Sequence, residues 1–283
     1  MKKKYIFVAD LFEEQYTGGA EITTEAIIFP KKNDIIKINS NFVDKGFIEQ
    51  NSDKRWIFCN FANLDNNLKI LICKKINYSI IEYDYKFCQY RSIEKHQMIE
   101  GNPCDCLDST LGKINLAFYG YAKNIWFMSD KQRHIFLDYV KTIKIENTRV
   151  LSSIFKKGDL TFMSNIRHNE KNNKYIILNS SSWIKGTEKC IEYAKDNNLE
   201  FELVKDLPYH ELLIKLSYSK GLIFRPLGGD TCPRIVIEAR LLGCDLRLNE
   251  NVQHKDEFWF NSTYDSCIDY LENRVDKFWR SYE

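Results

Sequence analysis

The chain has 283 residues, 44% of them hydrophobic and 14% aromatic, which excludes wholesale disorder and allows one large domain or two of ordinary size. The 41 basic and 39 acidic residues are interspersed and leave a formal charge of +2, so charge balance makes no case for a nucleic-acid or acidic-membrane partner. The nine cysteines, an odd number mostly set singly in apolar stretches, read as reduced thiols of a cytosolic protein rather than a disulfide framework.

"MKKKYIFVADLF" begins with basic residues, but its apolar run is only about five residues long and ends at Asp10, short of a secretory core. It predicts a buried first strand over 5–10. No stretch approaches the roughly 18 apolar residues of a membrane span, and a cytoplasmic location is expected. A helix over 19–28 follows, then apolar runs that predict strands at 56–61, 69–74, 78–84 and 124–129, and a helix over 131–142. The stretch 156–174 is polar and punctuated by Gly and Asn, and a domain boundary is placed there, giving domains 1–160 and 161–283. Beyond it, strands are predicted at 174–180, 200–205, 220–226 and 244–250, with helices at 186–197, 208–218, 233–243 and 264–281. This alternation predicts an α/β fold of two Rossmann-like domains, with mainly parallel sheets, facing a cleft.

Two segments carry chemistry. "YIILNSSSWIKGTEKCIEYAKDN" is a strand, a serine-rich loop with Lys185-Gly186, and a helix. In "GLIFRPLGGDTCPRIVIEARLLGC", Pro226 ends a strand, Gly228 and Gly229 allow a tight turn, and Pro233 fits the first turn of a helix. Backbone N–H groups at that helix start make an anion site. Glu238 lies among apolar neighbours, where a carboxylate is costly unless something satisfies it. Arg234 stands four residues earlier, so a helical ion pair explains both without a ligand. Asp230 by itself reads as a turn or cap residue.

Taken in order, these segments resemble the C-terminal domain of retaining GT-B glycosyltransferases, most nearly glycosyltransferase family 4. The resemblance rests on Lys185-Gly186, Pro226, Asp230 and Glu238-Ala239. "TGGAEITTEAI" (17–27) similarly resembles that family's Gly-Gly-Ala-Glu turn after the first strand, and "WFMSDKQRHIF" (126–136) a strand-then-serine segment of its first domain. The resemblance implies that Lys185 contacts the diphosphate of a nucleotide-sugar donor, Asp230 the sugar hydroxyls and Glu238 the ribose. Gly18, Gly19, Gly229, Thr231 and Arg234 complete the donor contacts it implies, and the loop 249–254 lies near them. The chain departs from the family at Ser180, where an Arg is usual, and at Asp230, where a longer Glu is usual. Arg225 or Arg234 is the candidate replacement for the missing cation.

On the acceptor side the family offers a His after a strand; Asp84, Tyr85, Arg91 and His96 are the candidates here. His96 joins Lys185, Asp230 and Glu238 as catalytic candidates. The implied activity is hexosyl transfer from a nucleotide-diphosphate sugar to a glycan or glycoconjugate, with retention of configuration and without metal or other cofactor. The last helix is expected to pack back on the N-terminal domain. Two alternatives stand beside this reading: a degenerate GT-B protein that binds nucleotide sugar without turnover, and a glycosyltransferase acting on nucleic acid. Cys104, Cys106 and His96 raise the question of zinc. Two cysteines one residue apart do not easily share a structural zinc and no second pair follows, so no metal is expected.

Overall fold

The structure is a computed structural model and describes residues 3–282. It divides into two compact units, Met1–Ile154 with Val275–Glu283, and Phe155–Arg274.

The first unit alternates strands and helices: β1 (Tyr5–Ala9), α1 (Gly19–Ile28), β2 (Ile35–Asn39), α2 (Lys45–Gln50), β3 (Arg55–Phe58), α3 (Asn66–Lys75), β4 (Asn77–Glu82), α4 (Ile93–Glu100), α5 (Thr110–Gly120), β5 (Ile125–Phe127), α6 (Asp130–Tyr139) and β6 (Thr148–Val150). Its six strands are all parallel, in the order β2-β1-β3-β4-β5-β6. β1 is buried along its whole length, as an apolar strand covered on both faces requires. Short polar side chains start the helices by accepting backbone N–H bonds: Asp65 for α3, Ser92 for α4, Ser109 for α5 and Ser129 for α6. Between sheet and helices lies an aromatic core, with Phe118 stacked on Tyr78 at 4.8 Å and edge-on to Phe58 at 5.1 Å.

The second unit holds α7 (Lys157–Ile166), β7 (Tyr175–Leu178), α8 (Thr187–Asp196), β8 (Phe201–Val204), α9 (Tyr209–Tyr218), β9 (Gly221–Phe224), α10 (Arg234–Leu241), β10 (Asp245–Leu248) and α11 (Phe258–Asn261), and α12 (Tyr264–Arg280) begins in it. Its sheet is parallel, in the order β10-β9-β7-β8.

One predicted strand is a helix, and the edges of the two units take these positions. Residues 69–74, whose apolar run predicts a strand, lie in α3, because the Asp65 carboxylate accepts from Asn67 N at 2.8 Å and Leu68 N at 3.2 Å and fixes a helical first turn. The polar stretch 156–174, where the boundary is placed, starts with α7, which buries Leu160 and Met163, and the second unit begins at Phe155. The last residues, from Val275, are part of the first unit. There Trp279 donates its indole N–H to Ile27 O at 3.0 Å and meets the Tyr5 ring edge-on at 4.9 Å, while Phe278 packs on Trp126 at 5.3 Å. Among the described residues, no helix is long and apolar enough to cross a membrane.

Candidate functional site

Strand order locates the crevice in each unit. In the second, the chain steps from β7 to β8 on one side and then crosses back to lay β9 on the other side of β7. The loops leaving the carboxyl ends of β7 and β9 therefore diverge, and such a switch point is where open parallel sheets take ligands. Lys185 is on the loop after β7 and Asp230 on the loop after β9. They meet with Lys185 Nζ donating to Asp230 Oδ2 at 2.8 Å, and their side chains remain 30% and 12% exposed.

Both loops are tightly built. Gly186 sits at φ +60°, and a Cβ there would lie 2.4 Å from the Arg225 carbonyl oxygen, so only glycine fits beneath the β9 loop. This close approach fixes the short 3-10 turn Trp183–Lys185 that presents the lysine. Thr187 Oγ1 donates to the Leu178 and Ser180 carbonyls and accepts from Ser180 N, closing the serine loop on α8. The Asp230 turn is clamped by the segment 249–254: Asp230 N donates to Asn251 O at 2.9 Å, Gln253 N to Asp230 O at 3.0 Å, and the amides of Asn249 and Asn251 both reach Pro226 O. Thr231 is buried within this same turn.

Behind the turn, Glu238 is 2% exposed and has protein partners. Its Oε1 accepts from Tyr209 OH at 2.9 Å and faces Arg234 Nε at 3.3 Å; Arg234 in turn donates to Tyr209 OH at 3.1 Å and stacks on Phe155 at 4.0 Å. The helical ion pair foreseen for residues 234 and 238 is thus formed. Burial raises the Glu238 carboxyl, with Arg234 and the Tyr209 hydroxyl pulling it back. Arg234 does not replace the cation missing at Ser180, because it is buried and committed to Glu238 and Tyr209. Arg225 donates to Leu248 O and lies over the Tyr193 ring. Tyr209, which opens α9 and completes this triad, is not singled out by the sequence; its only signal is a polar aromatic directly after the helix-starting Pro208.

In the first unit the corresponding crossing lies between β1 and β3. Asp10, just past β1, accepts from Ser40 Oγ and from Ala62 N and Asn63 N at 3.0 and 3.1 Å, tying the ends of β1, β2 and β3 together. Gly18 and Gly19 open α1 on this edge. A Cβ at Gly18 would lie 2.4 Å from Glu21 Oε2, so the glycine leaves room for that carboxylate to fold back on the turn. Of the acceptor-side candidates, Asp84 and Arg91 come together, Arg91 Nε donating to Asp84 Oδ2 at 2.6 Å and Arg91 also reaching Asn60 Oδ1 at 3.1 Å. Lys86 Nζ lies 3.1 Å from Asp84 and 3.2 Å from Glu82. Burial alone would raise the Asp84 carboxyl, but Lys86 and Arg91 hold it below its ordinary value. For fully buried Glu82 burial wins over Lys86 and pushes its carboxyl up to about 7.

Tyr85 and His96 do not join this group. Tyr85 is 1% exposed and packs edge-on against Phe87 in the core. His96 is 2% exposed and turned among cysteine thiols, with Cys106 Sγ 3.4 Å from its Nδ1. A cavity of about 390 Å³ lined by Arg55, Tyr78 and Lys123 opens at the amino ends of β3 and β4, the opposite edge from Asp10 and Asp84.

No family model and no curated protein matches the chain. Solved structures do. HepE from Anabaena in complex with UDP-glucose is similar over 96% of this chain and 91% of its own, with a TM-score of 0.58 at 11% identity. WaaG, a glycosyltransferase involved in lipopolysaccharide biosynthesis, gives 0.57 at 10% identity over 96% and 90%. OtsA in its apo form gives 0.52 at 9% identity over 96% and 91%. The fold is that of GT-B glycosyltransferases.

Proposed function

We propose that the chain is a glycosyltransferase that moves a sugar from a nucleotide-diphosphate sugar to a glycan or glycoconjugate acceptor, with retention of configuration and without a metal at the diphosphate. The observation that carries this reading is the Lys185–Asp230 pair at the switch point of the second sheet. A diphosphate and the sugar it carries are adjacent parts of one donor, and they call for a cation and a hydroxyl acceptor side by side. Lys185 faces the departing diphosphate and offsets the charge that develops on it, helped by backbone N–H groups at the start of α10. Asp230 accepts from sugar hydroxyls. Both partners of Glu238 fall on Oε1, and we assign its Oε2 to the ribose. The acceptor side is assigned to Asp84 and Arg91 at the end of β4. HepE, a structural neighbour bound to UDP-glucose, makes UDP-sugars the first donors to try.

The test is a thermal-shift and hydrolysis screen of the full chain against nucleotide sugars. A nucleotide-diphosphate sugar should raise the melting temperature and be slowly hydrolysed. Lys185→Met should abolish the shift, whereas Asp230→Asn should keep binding of the bare nucleoside diphosphate but lose the extra affinity for the sugar form. If no nucleotide sugar shifts the wild type, or both variants bind like it, the proposal fails. A shift with no sugar release from any donor would leave a binder without turnover.

A further inference from the structure

The β4–α5 excursion, residues 83–109, gathers four side chains that the transfer reaction does not use. Cys88 follows β4, His96 is on α4, and Cys104 and Cys106 flank Asp105 ahead of α5. The three sulfurs and a ring nitrogen of His96 all lie within 4.8 Å of one another. Cys106 Sγ is 3.4 Å and Cys88 Sγ 3.9 Å from His96 Nδ1. All three cysteines are free thiols.

Cys88 Sγ has Ser92 O as an acceptor at 3.4 Å, so its thiol does not depend on the imidazole, yet its sulfur and that of Cys106 both lie against the one nitrogen Nδ1. A single tetrahedral zinc accounts for this convergence. Zn–S bonds of about 2.3 Å and Zn–N bonds of about 2.0–2.1 Å place neighbouring ligand atoms roughly 3.5–3.8 Å apart, and the two sulfur–nitrogen distances bracket that value.

The surroundings match such a site. With Nδ1 turned to the sulfurs, His96 Nε2 has Asp105 Oδ1 3.5 Å away, on the side where a carboxylate can orient a metal-bound imidazole. The Gln89 backbone N–H donates to Cys106 Sγ at 3.4 Å, which fixes the direction in which that sulfur points. The Cys106 turn is held from behind: a Cβ at Gly112 would lie 1.9 Å from Cys106 O, so α5 presses backbone to backbone against it. Cys88 and His96 are buried while Cys104 and Cys106 are half-buried, which leaves an entry path.

We propose that Cys88, His96, Cys104 and Cys106 form a structural zinc site with three thiolates and one imidazole. Four protein ligands close the coordination sphere, and soft thiolates with an imidazole select zinc over the hard divalent cations. Binding releases the three thiol protons. The expectation that Cys104 and Cys106 lack further cysteine ligands is corrected by the fold, which brings Cys88 to them from the other side of α4. The ion pins the loop that carries Arg91, a non-glycine residue at φ 57°, three residues after Cys88.

The test is the metal content of the full chain purified without chelator, with reconstitution by zinc or cobalt. The expected result is about one zinc per chain, and after cobalt exchange a thiolate-to-cobalt charge-transfer band with the intense visible bands of a tetrahedral site. Cys106→Ser should lose both, Cys73→Ser, outside the cluster, should keep both, and a chelator should lower the melting temperature of the wild type. The wild-type cobalt spectrum decides the question even if Cys106→Ser fails to fold. A wild-type chain that takes up no stoichiometric zinc or cobalt, or a cobalt complex without the thiolate band, overturns the proposal.

Discussion

His254 offers the sharpest quantitative test of the packing behind the Asp230 turn. It is completely buried, stacked on Trp259 at 5.7 Å and 12° and met edge-on by Phe260 at 4.7 Å. Among the described residues neither ring nitrogen has a hydrogen-bond partner. Burial without a partner penalises the charged ring and lowers its pKa from 6.5 to about 3. The sign follows from proton binding. Between these two values the unfolded chain holds a proton that the folded chain refuses, so stability is full above about 6.5 and is lost as the pH falls below it. Over the whole interval the loss approaches about 5 kcal/mol at 1.36 kcal/mol per pH unit. Between about pH 7 and pH 5 it comes to about 2 kcal/mol.

Urea unfolding at these two pH values, for the wild type and His254→Phe, isolates this share. With a slope of about 2–3 kcal/mol/M, the wild-type midpoint should fall by roughly 0.7–1 M more than that of the variant. Gln253 N–H holds the Asp230 carbonyl next door, so nucleotide-sugar affinity should be more acid-sensitive in the wild type than in the variant. Equal pH dependence of the two midpoints would refute the reasoning, because it would mean that the ring is protonated in the fold or already solvated.

Gly186→Ala should lower stability by at least about 1–2 kcal/mol from the left-handed backbone alone, and the contact with Arg225 O should displace Lys185, so nucleotide-sugar binding should fall with the urea midpoint. Trp279→Ala should cost about 3–5 kcal/mol in unfolding of the first unit, measured by urea titration, because it empties a site between Tyr5, Phe7 and Ile27. Arg234→Met should cost about 3–5 kcal/mol by leaving Glu238 buried without its cation, and adding Glu238→Gln should recover part of that loss. Asp230→Asn, at a partly exposed pair, should change stability by no more than about 1 kcal/mol while weakening the binding of the sugar nucleotide, read by thermal shift and titration calorimetry.

The sequence discloses most of the parallel strands because a strand buried on both faces is a continuous apolar run, as in "YIFVA" and "GLIF". It hides the elements whose burial is partial. β2, "IIKIN", carries Lys37, which pairs with Glu14 and Glu25 and is held in its charged form by them, and β6 is three residues with one exposed Arg149. α3 is misread because its "KILIC" run is as apolar as a strand; what decides for a helix is Asp65, a single capping residue outside the run. In the same way α7 is masked by its own polarity, since only Asp159, Leu160 and Met163 of its ten residues are buried.

The same logic divides the site residues. Lys185-Gly186 and Asp230 are legible because backbone geometry demands their neighbours: only glycine fits at 186, and the "PLGGD" turn must reverse direction at the end of β9. Glu238 is legible as an oddity, but its partners are not. Arg234 is four residues away and visible, while Tyr209 arrives from another helix 29 residues earlier, where no local pattern announces it. The thiol cluster is hidden for a similar reason. Cys88 and Cys106 are 18 residues apart with a helix between them, and the spacing resembles no compact ligand motif until α4 folds His96 back between the sulfurs. Local spacing therefore reveals groups whose geometry is set by the backbone, and misses those whose meeting depends on how one helix packs against the next. Exposure then separates what the groups do. The pair at 185 and 230 is partly exposed and contributes little to stability, whereas the pair at 234 and 238 is buried beside Tyr209 and Phe155 and ties α10 to its neighbours.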